Sequence, residues 1–244
     1  MESKKLKIIA IIPARGGSKE IPLKNIKKLG KLPLVVHSIQ AAKNSKQINR
    51  IIVSTDNKKI ADISRKYGAE TPFLRPKSFS KDTSSTLDVV QHTIQFLKEV
   101  ENYTPDIVTI LLPTSPFRSL NLIDDSIKLL RKSNATSVVN VAKNKDHAFK
   151  AFLLKGDFLK PFKTNHKKYY QRQLLPDFFH TTGSVYTFWL STLKKYGHYY
   201  GPRMKPIITT DDKMNIDIDN LFDLFIAEMT QKYWKSYLKK NQNN

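Results

Sequence analysis

Cysteine is absent from the chain. That excludes disulfides, thiolate zinc sites and a cysteine nucleophile, and it says little about compartment. Acidic residues are scarce, with 21 Asp and Glu against 42 Lys and Arg, a formal charge of +21. No apolar stretch reaches the ~18 residues of a membrane span, so none is expected. The start, MESKKLK, runs straight into an apolar run and leaves no room for a signal-peptide core. The expectation is a soluble cytoplasmic protein. His37, His92, His147, His166, His180 and His198 show no metal-ligand spacing. No Ser/His/Asp triad can be nominated, because sequence order alone does not specify one. Walker A (GxxxxGK[ST]) and GxGxxG loops are missing, as are internal repeats and low-complexity linkers.

The charge excess raises nucleic acid or a membrane surface as a partner. The lysines are spread along the chain and form no single block, so a basic background that attracts acidic small molecules is the plainer reading. No helix-turn-helix, zinc module or stacked-aromatic motif supports nucleic acid, which is not an expected partner. At 244 residues and 40% hydrophobic, the chain suffices for one sizeable α/β core or two small domains.

The stretch IIAIIPARGGSKEIPLKN, residues 8–25, organises the rest. Ile8 to Ile12, bounded by Pro13, reads as a buried parallel strand. The following loop leaves its carboxyl end, the usual ligand position on an open α/β sheet. Gly16 and Gly17 let backbone N–H groups approach a ligand, and Arg15, Lys19 and Lys24 add positive charge suited to a polyphosphate. Taken alone, the loop reads more readily as a solvated basic turn.

Strand and helix patterns then alternate. Helices are expected from Pro33 to Ala42, from a Thr55-Asp56-Asn57 cap through Tyr67, from Thr86, from Ser119 to Lys132, and from Leu221 to about Tyr237, with a frayed tail beyond. Strands are expected at 50–54, 71–74, 106–112, 135–141, 183–189 and 207–210. The pattern predicts an α/β fold with a mostly parallel sheet and helices on both faces. The rhythm breaks at 143–176, a Lys-, Phe- and Tyr-rich segment that reads as an insertion leaving the sheet: a lid, a dimerisation arm or a substrate wall.

Polar clusters sit at strand ends. Besides the first loop they are Arg75 with Asp82-Thr83-Ser84-Ser85, the proline-fixed turn Pro113-Thr114-Ser115-Pro116-Phe117-Arg118, which displays hydroxyls and a guanidinium, and Asn215-Ile216-Asp217-Ile218-Asp219. If the last is extended, Asp217 and Asp219 share one face and suit a hard cation such as Mg²⁺. The competing reading makes Asp219 a helix cap and Asp217 a solvated carboxylate. A triphosphate site in the first loop favours the metal, because it needs a divalent ion.

The segments IIPARGGSKEIPLKN, VSTDN, FLRP, DTSST, LLPTSPFR and NIDIDNLFD occur in an order that resembles the acylneuraminate cytidylyltransferase (CMP-sialic acid synthetase) family, over about residues 7–230. The resemblance implies one Rossmann-like domain over 1–244, of the nucleotide-diphospho-sugar transferase type, with a dimerisation arm at 143–176. It implies a homodimer, CTP and a nine-carbon keto sugar acid as substrates, and Mg²⁺ (or Mn²⁺). Ala14, Arg15, Gly16, Gly17, Ser18, Lys19, Lys24, Asn25, Arg75, Ser84 and Ser85 would bind nucleotide. Asp217 and Asp219 would hold metal. Thr114, Ser115, Arg118, Arg172, His180 and Thr182 would face the sugar. Arg15, Lys19 and Asp219 are the catalytic candidates, with Asp219 or a water beside it taking the hydroxyl proton.

Three departures bear on the sugar and the first loop. Glu20 stands where the family usually has Gly, Leu112 where sialic-acid-activating members usually carry Gln, and FHTTGSVY replaces an arginine-and-asparagine version. Legionaminic- or pseudaminic-type acids are therefore as well supported as N-acetylneuraminate. The rival enzymatic reading is a glycosyltransferase with Asp217 and Asp219 as its DxD motif; the triphosphate-type first loop argues against it.

Overall fold

The computed structural model describes residues 5–81, 83–144, 148–163 and 175–241. Its centre is a six-stranded sheet in the order β10-β6-β9-β5-β1-β4. These strands are β1 (Ile8–Pro13), β4 (Arg50–Ser54), β5 (Ile107–Ile110), β6 (Ser137–Lys143), β9 (Phe179–Trp189) and β10 (Met204–Thr209). β4, β1 and β5 run parallel, as do β6 and β10, whereas β9 is antiparallel to both its neighbours.

β1 shows why this sequence makes a two-sided layer. Ile8, Ala10 and Ile12 pack into one core and Ile9 and Ile11 into the other, as period-two alternation requires of a central strand. The first core is roofed by α1 (Leu34–Asn44), α2 (Lys58–Lys66) and α4 (Leu122–Lys132). The second is roofed by α3 (Thr86–Glu101) and α5 (Leu190–Tyr196), with Phe188 and Tyr199 packed between. A third cluster joins Ile21 of the first loop to Leu29 of a short hairpin, β2 (Lys28–Leu29) with β3 (Leu32–Pro33), and to Ile218 and Ala227. Ala227 belongs to the final helix, α6 (Leu221–Asn241).

Several expectations need correction. Residues 71–74 form no strand; Glu70 alone bridges to Ile52, and Pro72 has no N–H with which to extend the pairing. The helix expected from Ser119 begins at Leu122 after Asn121. Asn57, rather than the whole Thr55-Asp56-Asn57 group, caps α2 by accepting from the Ile60 N–H. α6 runs through Asn241, past the point where fraying was expected. Within 143–176, β6 reaches Lys143, and β7 (Phe152–Lys155) pairs with β8 (Phe158–Pro161) as a hairpin separate from the main sheet. Asp82, His147, His166 and Arg172 lie outside the described residues.

Candidate functional site

The parallel strands β4, β1 and β5 deliver their carboxyl ends to one edge, and the loops beyond them enclose a cavity of about 210 Å³. Arg15, Gly17, Ser18, Lys24, Asn25, Arg75, Ser84, Ser85 and Thr114 all line it. Residues from four separate stretches of sequence are thus gathered in one place.

The first loop is pinned from both sides. The Ala14 N–H donates to Ser54 O at 2.9 Å, and the Gly16 N–H donates to Asp56 Oδ1 at 2.7 Å. From the other side the Asn25 amide donates to Arg15 O at 2.8 Å. Gly16 packs so closely on Asn57 that a Cβ would lie 2.8 Å from the Asn57 Cβ. Two expected ligand contacts are therefore structural: Ala14 is fully buried with its N–H in use, and the Gly16 N–H is held by Asp56. Lys19 and Glu20 are exposed at the loop's outer end and do not line the cavity.

Arg75 is the most informative side chain. Only 5% of it is exposed, and its Nε has no hydrogen-bond partner. Its backbone N–H is tied to Thr55 O at 2.7 Å. Burial pulls its pKa down, opposed by nearby Asp56 and reinforced by Arg15. A buried cation with an unsatisfied donor is costly unless an anion completes it. The amino end of α3 adds to the positive potential, because Ser85 and Thr86 line the cavity. Ser85 is fixed there by a capping box: it accepts from the Asp88 N–H, and Asp88 accepts from the Ser85 N–H.

Asp217 and Asp219 approach from the far end of the chain. Across Asp217, Ile218 and Asp219 exposure alternates out, in, out, so both carboxylates face the same way. Ile218 is buried, and its N–H donates to Thr114 O at 2.8 Å. Lys24 Nζ donates to Asp219 Oδ1 at 2.9 Å and to Ile218 O at 2.8 Å. Asp217 is open to solvent at its surface, yet its carboxyl is pushed above the usual carboxylate range. Loss of solvation is the main cause, with Asp219 adding repulsion; the Thr114 hydroxyl, Lys24 and Ser115 oppose it. Asp219 does not cap α6. Asn220 Oδ1 accepts from the Asp223 N–H, and Asp223 accepts from the N–H groups of Asp219 and Asn220.

The expected sugar-facing residues divide. Arg118 turns inward: its guanidinium donates to Ser184 O, Ser38 Oγ and Leu112 O at 2.7, 3.1 and 2.6 Å, and burial lowers its pKa to about 9. It is a strut beneath the turn and presents no cation to a ligand. Thr182 is also buried, with its hydroxyl donating to Asn140 Oδ1 at 2.6 Å. Ser115 donates to Thr182 O at 2.8 Å and approaches Asp217 Oδ1 at 3.5 Å. That contact requires Gly183, which has φ +75° and whose added Cβ would lie 2.5 Å from Ser115 Oγ. His180 is exposed on β9 opposite Ala142.

Sequence reasoning missed Asp56 as the anchor of the first loop. VSTDN carried only a helix-cap signal, which belongs to Asn57. The start of α3 at Thr86 and the nearby Ser84 and Ser85 were read from sequence, but the Ser85–Asp88 capping box that fixes them was not.

Residues 9–240 match the family described as cytidylyltransferase. The chain belongs to that family. Among curated relatives, the CMP-N,N'-diacetyllegionaminic acid synthase of Legionella pneumophila is 32% identical over 225 residues, covering 91% of this chain and 95% of the relative. The pseudaminic acid cytidylyltransferase of Campylobacter jejuni is 29% identical, covering 93% and 97%. Among solved structures, a CMP:2-keto-3-deoxy-manno-octonic acid synthetase complexed with CTP aligns with TM-score 0.66 at 15% identity, covering 93% of this chain and 99% of that one. That likeness supports the fold, a mostly parallel sheet with helices on both faces. Cytidylyltransferases are nucleotidyltransferases, so this family member is an enzyme, and the glycosyltransferase reading is set aside.

Proposed function

We propose that this cytidylyltransferase activates a nine-carbon keto sugar acid with CTP, giving the CMP-sugar and pyrophosphate. The observation that carries the reading is the buried Arg75 guanidinium, with its unsatisfied Nε, beside Arg15 and Lys24 in a cavity at the strand ends. A nucleoside triphosphate supplies the anion that this arrangement lacks.

In the reaction the anomeric hydroxyl of the sugar attacks the α-phosphorus in line, a P–O bond forms, and pyrophosphate leaves. Negative charge grows on the phosphoryl oxygens and the leaving group, so catalysis is mainly positioning and electrostatic stabilisation. Arg15, Lys24 and Arg75 line the region where that charge would develop. Lys19, on the exposed outer end of the loop, is proposed to meet the triphosphate there. Asp219, or a water beside it, is the candidate to accept the hydroxyl proton.

The donor chemistry at Asp217 and Asp219 fits a magnesium ion. Two carboxylates face one way, and loss of solvation, with repulsion from Asp219 added, raises the Asp217 pKa, which a cation would oppose. Among the described residues no cluster of three or more His, Cys, Asp or Glu exists, which suits an ion that takes one or two carboxylates and completes its shell with water and phosphate oxygens. When bound, Mg²⁺ (or Mn²⁺) would neutralise phosphate charge. Because Lys24 already pairs with Asp219, a cation there competes with it and would leave the ammonium for phosphate.

A second cavity, of about 650 Å³, opens beside Asn215 and is lined by Lys143, Lys150, Phe178, Phe179 and Asp212. Its size and its mixed apolar and basic wall support a sugar acid there. The relatives' names favour legionaminic-, pseudaminic- or sialic-type acids. The β7–β8 hairpin carries exposed Phe152, Leu154, Phe158 and Leu159, and the proposed state is a homodimer in which a second copy covers it. The proposed compartment is the cytoplasm. A pyrophosphate-release screen with CTP, Mg²⁺ and a panel of keto sugar acids tests the proposal; release with none of them would overturn it.

A further inference from the structure

α6 has apolar residues on two opposite sides. Its inner side packs Leu224 and Ala227 on the body, holds Gln231 against Gly30, and half-buries Trp234 and Leu238. The outer side carries Phe222, Phe225, Ile226, Tyr233 and Tyr237, which the helical repeat gathers into one stripe along the helix. Phe222 is 69% exposed, Phe225 51% and Tyr237 58%. Among the described residues nothing packs over this stripe.

The surroundings of the stripe say what suits it. Lys232, Lys235 and Lys239 follow the helical spacing along one flank. On that same flank Lys28 and Lys232, together with the carboxylate of Glu228, line a groove of about 520 Å³ between α6 and the β2–β3 turn, and exposed Lys31 follows in the turn. The helix ends with Lys239 and Lys240 in its last turn. The whole chain carries +21. The complementary occupant is negatively charged and able to receive aromatic rings along a length of 21 residues. A second copy of this chain brings the same lysines into opposition. An exposed aromatic stripe beside lysines can meet the negative surface of an anionic bilayer. Among the described residues no helix is long and apolar enough to cross a membrane, and the proposed contact is peripheral.

We propose that the outer face of α6 docks this protein on an anionic lipid surface, with Phe225, Tyr233 and Tyr237 entering the headgroup boundary and the flanking lysines meeting the lipid charge. The proposal does not depend on the reaction catalysed.

The test is co-sedimentation of the full chain with vesicles of phosphatidylcholine, alone or mixed with phosphatidylglycerol. Binding is expected to the mixed vesicles only and to weaken with salt. K232Q/K235Q/K239Q is expected to weaken it roughly 100-fold. F225S/Y233S/Y237S leaves the charge unchanged and is expected to weaken it by at least about tenfold, since it removes the buried apolar area. Circular dichroism confirms folding, and Phe225→Ser alone replaces the triple variant if that one unfolds. Failure of the wild type to bind mixed vesicles would overturn the proposal. So would unchanged binding by the serine variants, which would reduce the effect to adsorption of a cationic protein. A wild-type dimer in sedimentation velocity that the serine variants convert to monomer would assign the face to a second copy instead.

Discussion

Lys24 Nζ lies 2.9 Å from Asp219 Oδ1, although 195 positions separate the two residues in the chain. The same ammonium donates to Ile218 O at 2.8 Å, and Ile218 is buried with Ile21 of the first loop. The basic loop after β1 and the acidic pair before α6 are therefore one assembly, with Lys24 joining its cationic and anionic halves.

Removing that link should be felt in catalysis more than in folding. Lys24→Met is expected to lower kcat/KM for CTP by about 10²-fold, the scale of losing one preorganised donor. The exposed Asp219 keeps full access to water, so Tm should change little. Steady-state kinetics beside thermal unfolding measures both.

Asp217→Asn should abolish turnover while raising stability at neutral pH. The Asp217 carboxyl has a folded-state pKa above its ordinary value, chiefly because it is desolvated and then because Asp219 repels it. An acid with a raised pKa binds a proton more readily folded than unfolded, so its ionised form costs stability above that pKa. The cost fades as pH falls through the folded pKa and is gone below the unfolded one, about 3.9. The Tm advantage of the variant over wild type should be present at pH 7 and shrink towards that limit. Thermal melts across pH check the sign, and equal Tm values at pH 7 would contradict it.

Arg118→Ala should unfold the turn beneath the site. It strands the carbonyls of Leu112 and Ser184 and the Ser38 hydroxyl, all of which accept from the guanidinium. The expected loss is about 2–4 kcal/mol by urea denaturation, from unsatisfied buried acceptors.

Gly16→Ala is expected to raise KM for CTP up to about tenfold, the scale of losing one hydrogen bond of about 0.5–1.5 kcal/mol. Its Cβ would lie 2.8 Å from the Asn57 Cβ and 2.9 Å from the Asn57 amide nitrogen, so the loop or the cap of α2 must move. Gly17→Ala, with no atom within 4 Å of its added Cβ, is the matched control and should leave folding unchanged.

The layered sheet was legible because β1, β4 and β5 are short Ile/Val runs closed by Pro, Ser or Leu, and their alternation sorts residues into two cores. The cavity was legible for residues whose backbone follows a strand end, such as Arg15; Arg75 lies in no strand and reaches the cavity because its backbone N–H bonds Thr55 O just beyond β4. Side-chain direction was not. PTSPFR reads as a display of polar groups, but desolvated carbonyls of the turn draw Arg118 inward. Thr182 lies where β9 becomes buried on both faces, at a point where its pairing shifts register against Val139 and Val141 of β6. Asp56 escaped notice because its partner is a backbone N–H 40 positions away, and no local pattern encodes such a pairing.

The central claim is that Arg75, Arg15 and Lys24 form a cradle for the triphosphate of CTP. The most direct measurement is calorimetric titration of CTP into wild type and Arg75→Met, with CMP as the control ligand. The account predicts that wild type binds CTP far more tightly than CMP, and that Arg75→Met loses most of this difference while remaining folded. Equal affinity of wild type for CTP and CMP, or an unchanged difference in the variant, would contradict it.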